Sequence, residues 1–130
     1  MPIVGAILVP HPPIIIPTVG RGREAEVQGT IDAYRAAAKQ AAAWSPEVLI
    51  VTSPHTVMYA DYFHISPGKG ASGDMSAFGA SQTKLEVVYD AELRKELVRQ
   101  AEAVGIQAGT LGEKDPSLDH NVIKLRISRT

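Results

Sequence analysis

Apolar residues run without a break from Ile3 to Val9 (IVGAILV), and again through most of EVLIVTS at 47–53. A continuous apolar run of this length suits a β-strand covered on both faces, as in a buried parallel sheet. Between the two runs Val27, Ile31, Tyr34, Ala38 and Ala41 recur at intervals of four and three. That spacing predicts an amphipathic helix from about Arg23 to Trp44, stopped by Ser45-Pro46. Strand, helix and strand in this order predict a right-handed βαβ unit.

Further along, Tyr62 to Ser66 predicts a short strand, and the glycine-rich stretch 67–80 reads as a loop. KLEVVY (84–89) alternates polar and apolar positions, as a half-exposed or edge strand does. Asp90 is placed to cap a helix whose apolar positions are Leu93, Leu97, Ala101 and Val104, with Gly105 at its end. A brief strand from Ile106 to Ala108 leads into the loop GTLGEKDPSLDH (109–120). The expected class is α/β: a parallel or mixed sheet with flanking helices, an incomplete three-layer arrangement of the phosphorylase/hydrolase kind.

Composition narrows the function. At 130 residues, 45% of them hydrophobic and 21% charged, the chain is one globular domain with a core of its own. The net charge is −1, and the basic residues Lys124, Arg126 and Arg129 are too few and too scattered to neutralise phosphates. Nucleic acid is therefore not an expected partner. The absence of cysteine excludes disulfides and thiolate metal sites within the chain. The apolar N-terminal segment has no basic residue before Arg21 and is broken by Pro10, His11, Pro12, Pro13 and Pro17. It reads as neither a signal peptide nor a membrane span, so the expected location is cytoplasmic.

Each apolar run ends in Pro-His: Pro10-His11 and Pro54-His55. The carboxyl ends of parallel strands form the crevice where open α/β sheets bind ligands. Neighbouring strands lie roughly 4.8 Å apart, or about twice that with one between, and either spacing lets two imidazoles converge on one ion. A single histidine is more often a local packing or capping residue. The repetition at two equivalent strand ends weighs the pair toward a shared metal site. His64, inside YFHIS, has no such counterpart and reads as structural. Two imidazoles and a carboxylate would make the facial arrangement of non-haem Fe(II) oxygenases, but zinc hydrolases use the same donor types.

Gly68, Gly70 and Gly73 spell G-x-G-x-x-G. A dinucleotide site needs that turn to open a helix directly after the first strand of a βαβ unit. Here DMSAFGAS follows, with no helical apolar stripe and another strand close behind, so the motif reads as a loop that could close over a neighbouring pocket.

Four segments taken together carry a resemblance: VGAILVPHPPIIIP (4–17), SPHTVMYADYFHISPGKGASGD (53–74), FGA (78–80) and AGTLGEKDPSLDH (108–120). They resemble the subunit-B-type class III extradiol ring-cleavage dioxygenases, specifically the Memo-related branch of the AmmeMemoRadiSam system. The resemblance implies that His11 and His55 are the two histidine ligands of a non-haem Fe(II). It implies that His120 is a catalytic pocket histidine that holds or protonates the substrate. Its implied partners are a small catechol-type aromatic and O2, which the iron brings side by side.

Two departures accompany the resemblance. The family's ligand glutamate lies in the second half of a domain about twice this length. Residues 121–130 (NVIKLRISRT) also leave the family pattern. Residues 2–120 therefore read as the N-terminal part of the domain and 121–130 as a divergent tail, the expected product of a truncated or frameshifted frame, with a split two-chain protein as the lesser alternative. The remaining carboxylates Glu113, Asp115 and Asp119 would substitute for the third ligand only by chance. Such a piece is expected to be inactive alone, and to form a homodimer or associate with the C-terminal half. The alternatives are a Memo-like metal protein that does not cleave catechols, and a partner-binding scaffold for a radical-SAM system.

Overall fold

The proline-rich stretch after the first apolar run folds back on itself. In the computed structural model, which describes residues 2–118, Pro12 keeps an extended backbone and Pro13–Ile15 forms a 3₁₀ turn. Pro17 then opens a one-turn helix, α1 (Pro17–Gly20), where its fixed φ and missing N–H suit the first helical position. The reversal drives Ile15 and Ile16 inward, to 3% and 1% exposure. A second 3₁₀ turn, Arg23–Val27, leads into α2 (Gln28–Ala43). The predicted stripe is the packed face: Ile31 and Tyr34 are buried, and Val27, Ala38 and Ala41 are half-buried. Burial pushes the Tyr34 phenol above its ordinary pKa.

Two small sheets follow. β1 (Phe63–His64) pairs in parallel with β4 (Ala108–Gly109), His64 opposite Gly109. β2 (Gly70–Met75) pairs antiparallel with β3 (Ala80–Val88), from Gly70 opposite Val88 to Asp74 opposite Lys84. Residues 70–75 of the stretch expected to be a loop thus form one arm of a hairpin. Ala71, Gly73 and Met75 share its inner face, with Ala71 and Met75 buried. Gly70 is there because a side chain would strike the Val87 carbonyl, so its role is close approach of two strands. Gly79, with φ 72°, takes the left-handed conformation at the hairpin bend. β3 alternates exposed and half-buried residues over its second half, as its sequence predicts.

Asp90 caps α3 (Ala91–Ala103) by accepting a hydrogen bond from the Leu93 N–H at 2.9 Å. Arg94 donates from that helix to the carbonyls of Ser66 and Gly68, fixing the turn before β2. The loop after β4 is tied to the hairpin: the Ser72 N–H donates to Pro116 O at 3.1 Å and the Leu118 N–H to Ser72 O at 2.9 Å. The core gathers Ile15, Ile16, Ile31, Tyr34, Met75 and Ala80, with Val9, Phe78, Leu85 and Leu118 packed against it.

The fold is mixed α/β. The expected strands at 3–9 and 47–53, however, carry no strand pairing, and Ile3, Leu8 and Ile50 are 90%, 99% and 66% exposed. A parallel strand with two apolar faces needs a neighbouring edge and a covering layer. Among the described residues parallel pairing between named strands is confined to β1 and β4, two residues each. Of the predicted βαβ unit, only the helix forms. Asp119, His120 and the tail 121–130 lie outside the described residues.

Stability should follow this division. Ile16→Ala is expected to cost about 2–5 kcal/mol in urea unfolding, because it opens a cavity in the packed centre. Leu8→Ala, at a fully exposed position, should change stability by no more than about 0.5 kcal/mol.

Candidate metal centre

His11 enters the site from a backbone with little freedom. Pro10 precedes it and Pro12-Pro13 follow, restricting the torsions on both sides. Val9 on one side and Ile15 on the other are anchored to the core. Upstream, Gly5 lies flat against the Trp44 ring, so closely that any side chain at position 5 would overlap Cζ3 and Cη2. The end of α2 thereby holds the segment that leads to His11. The sequence offered a hint of this contact, since a lone glycine in an apolar run often marks close approach of another group.

His55 arrives from the second apolar run through a turn in which its N–H donates to Ser53 Oγ at 3.3 Å. The two imidazoles meet. His55 Nε2 lies 3.2 Å from His11 Nδ1, with ring centroids 4.6 Å apart and planes at 82°. Both side chains lie at the surface. The convergence expected from the paired Pro-His positions is present, although the strands expected to produce it are not.

The two imidazole nitrogens are donors of a type that can hold a divalent cation. With metal–nitrogen bonds of about 2.1 Å, two ligands at right angles stand about 3 Å apart. The 3.2 Å separation of the nitrogens is close to that edge. Among the described residues no group of three His, Cys, Asp or Glu side chains gathers around a common point. Glu113 and Asp115 are occupied elsewhere. Glu113 Oε1 accepts from the N–H groups of Lys114 and Asp115 at 2.8 and 2.9 Å, and Asp115 Oδ1 accepts from the Ser117 N–H at 2.9 Å. Asp119 and His120 lie outside the described residues.

An open concavity of about 510 Å³ lies on the hairpin, lined by Ser72, Gly73, Asp74, Lys84, Leu85 and Glu86. Neither histidine of the pair lines it. Hydrogen bonding from the Ser76 side chain, and then from the Ser76 N–H at 2.8 Å, holds the Asp74 carboxyl below its usual pKa range. The G-x-G-x-x-G run crosses the turn into β2 and opens no helix, so the dinucleotide reading has no structural counterpart. No helix among the described residues is long and apolar enough to cross a membrane.

Two imidazole nitrogens thus converge at the ends of apolar segments on a mixed α/β frame. Residues 5–124 match the family described as the catalytic LigB subunit of aromatic ring-opening dioxygenase, and the chain belongs to that family. It is also 32% identical over 114 residues to Protein CA_C1420 of Clostridium acetobutylicum, a match that covers 88% of this chain and 22% of that protein. The chain thus spans about a fifth of the length of this curated relative. No solved structure matches it.

The Gly5–Trp44 contact gives a test of how the site is held. Gly5→Val should lift the segment off the ring, red-shift the emission of the single tryptophan and weaken Co(II) binding, while far-UV circular dichroism stays unchanged. Unaltered emission and affinity would show that this contact does not position His11.

Proposed function

We propose that this chain is part of a non-haem Fe(II) extradiol dioxygenase-type domain that acts on a catechol-type aromatic. His11 and His55 are its two imidazole ligands. The observation that carries the reading is the 3.2 Å approach of His55 Nε2 to His11 Nδ1, in a chain of the ring-opening dioxygenase family. The four segments quoted above support placement in the Memo-related, AmmeMemoRadiSam branch, and an apolar N-terminal segment broken by prolines with no basic residue before Arg21 supports a cytoplasmic setting.

When bound, Fe(II) supplies the redox and orienting chemistry that brings a catechol and O2 together. The histidines contribute neutral nitrogen donors on a stiff backbone, so little geometry has to be organised when the ion arrives. His120 is the residue proposed to hold or move a proton on the substrate hydroxyl. The third ligand is a carboxylate other than Glu113 and Asp115, whose oxygens cap the turns of their own loop.

Anaerobic titration of Fe(II) into the chain should give weak, saturable binding that His55→Ala abolishes. Equal binding by the variant would remove the reading.

Two histidines without a carboxylate leave the ion short of anionic ligation, so the 130-residue chain alone should not turn over catechols. The test is ring-opening absorbance with protocatechuate and 4-methylcatechol. Sustained multiple turnover above the free-iron control would point to a third ligand within this sequence.

The uncovered runs at 3–8 and 49–51 should pair the isolated chain with a second copy. Light scattering is expected to give a dimer or larger species whose proportion rises with concentration. A monomer at about 100 μM, well above micromolar affinity, would contradict this.

A further inference from the structure

The two edges of the β2–β3 hairpin are treated differently by the rest of the chain. On the β2 edge Ser72 turns its backbone groups outward, its N–H donating to Pro116 O and its carbonyl accepting from the Leu118 N–H. Between the strands, the Tyr89 N–H donates to Lys69 O at 2.9 Å, which makes Lys69 and Tyr89 a hydrogen-bonded pair. In an antiparallel ladder such pairs alternate with pairs whose N–H and C=O groups point away from each other. Ser72 opposite Glu86 is a pair of the second kind. Lys84, Glu86 and Val88 therefore direct their backbone groups off the far edge of β3. Among the described residues no strand pairs with that edge.

A regular edge is a template for another strand unless proline, a bulge or repelling charge blunts it. β3 contains no proline, and the break in register falls between Asp74 and Met75, at the other end of the hairpin. Its charges alternate in sign, with Lys84 and Glu86 exposed on one face and Thr83, Leu85 and Val87 half-buried on the other. A second copy laid antiparallel on this edge must centre on a residue, because a centre between residues would oppose an outward-directed residue to one bonded to β2. Centring on Lys84 or on Glu86 sets like charges directly opposite, which is unfavourable. Centring on Leu85 sets Lys84 against Glu86 of the second copy, and Glu86 against its Lys84. Leu85 then meets Leu85, and Thr83 meets Val87, so the inner faces also continue across the junction.

We infer that the outer edge of β3 is a docking surface for a second copy of this chain, paired antiparallel about Leu85. Backbone hydrogen bonds join the strands, and the Lys84–Glu86 contacts on either side of the axis fix the register. This edge involves neither His11 nor His55. It also lies apart in sequence from the uncovered runs at 3–8 and 49–51, and association through those runs would fix no register at β3.

The chain has no cysteine of its own, which permits a directed cross-link. Gln82 would lie opposite Val88 of the second copy, and both side chains are exposed. Opposed hydrogen-bonded residues have Cα atoms about 5.5 Å apart, inside the disulfide range of about 4.4–6.8 Å. Two copies of position 82, or of position 88, would stand roughly 20 Å apart at about 3.4 Å per residue. A mixture of full-length Gln82→Cys and Val88→Cys chains, oxidised with glutathione disulfide, is expected to give about tenfold more linked dimer than either variant alone. Adding Glu86→Lys to both chains sets Lys against Lys and should remove most of that excess. Glu86 faces Ser72 within its own hairpin, so far-UV circular dichroism should stay unchanged. Equal linkage in the mixture and in the single variants would overturn the proposal, even where light scattering finds dimers, since those would be held elsewhere. An undiminished excess in the folded Glu86→Lys chains would overturn the Lys84–Glu86 register.

Discussion

The burial of Ile15 and Ile16 beneath α2 and the β2–β3 hairpin places most of the rest of the molecule. The prolines around them leave the backbone few ways to turn, and the turn it takes points both isoleucines at Ile31, Tyr34, Met75 and Ala80. One contact set thereby joins the N-terminal segment to a helix and to a hairpin far along the sequence. The Thr18 and Thr83 hydroxyls, 2.7 Å apart, reinforce the same junction at its edge. His11 lies a few residues upstream of the buried pair, between core-packed Val9 and Ile15, and its position follows from this packing.

The apolar runs at 3–9 and 47–53 are held by a different balance. Their composition suits burial, yet the described residues give them neither a ladder nor a covering layer. Such a run specifies the surroundings it requires and cannot create them, since a strand with two apolar faces is stabilised by neighbours on every side. The two parallel residues of β1 and of β4 show how little parallel sheet the described residues assemble. The matched relative has about four times as much sequence, and in a longer protein these runs have more chain to pack against. The histidine pair at their ends is nevertheless formed, because proline stiffness, the Trp44–Gly5 contact and the Val9 anchor are all local to this chain.

What was legible in the sequence is what neighbours in the sequence decide. The stripe of α2, the Asp90 cap of α3 and the alternation of β3 each depend on spacings of a few residues, and each is found where expected. The meeting of His11 and His55 was legible for a related reason, since matched Pro-His ends constrain both chains alike. The strands at 3–9 and 47–53 were not, because pairing depends on partners that periodicity cannot reveal. The hairpin arm at 70–75 was misread as a loop because glycine signals freedom and close approach with the same letter. Only the position of the Val87 carbonyl distinguishes them. The buried, unpartnered Nδ1 of His64 has no counterpart in any sequence pattern.

The carboxylates of the 109–118 loop show how chemistry and architecture compete for the same residues. Glu113 and Asp115 could each ligate a cation by type, yet their oxygens hold backbone N–H groups of the turn that returns to Ser72. Withdrawing either to serve a metal would leave those donors unpaired and loosen the strand-like contact at Ser117. The loop therefore acts as a brace across the hairpin at Ser72. On the reading proposed above, His11 and His55 would supply two nitrogen donors on a stiff backbone, and the carboxylate would come from a residue other than Glu113 and Asp115, whose oxygens this brace uses.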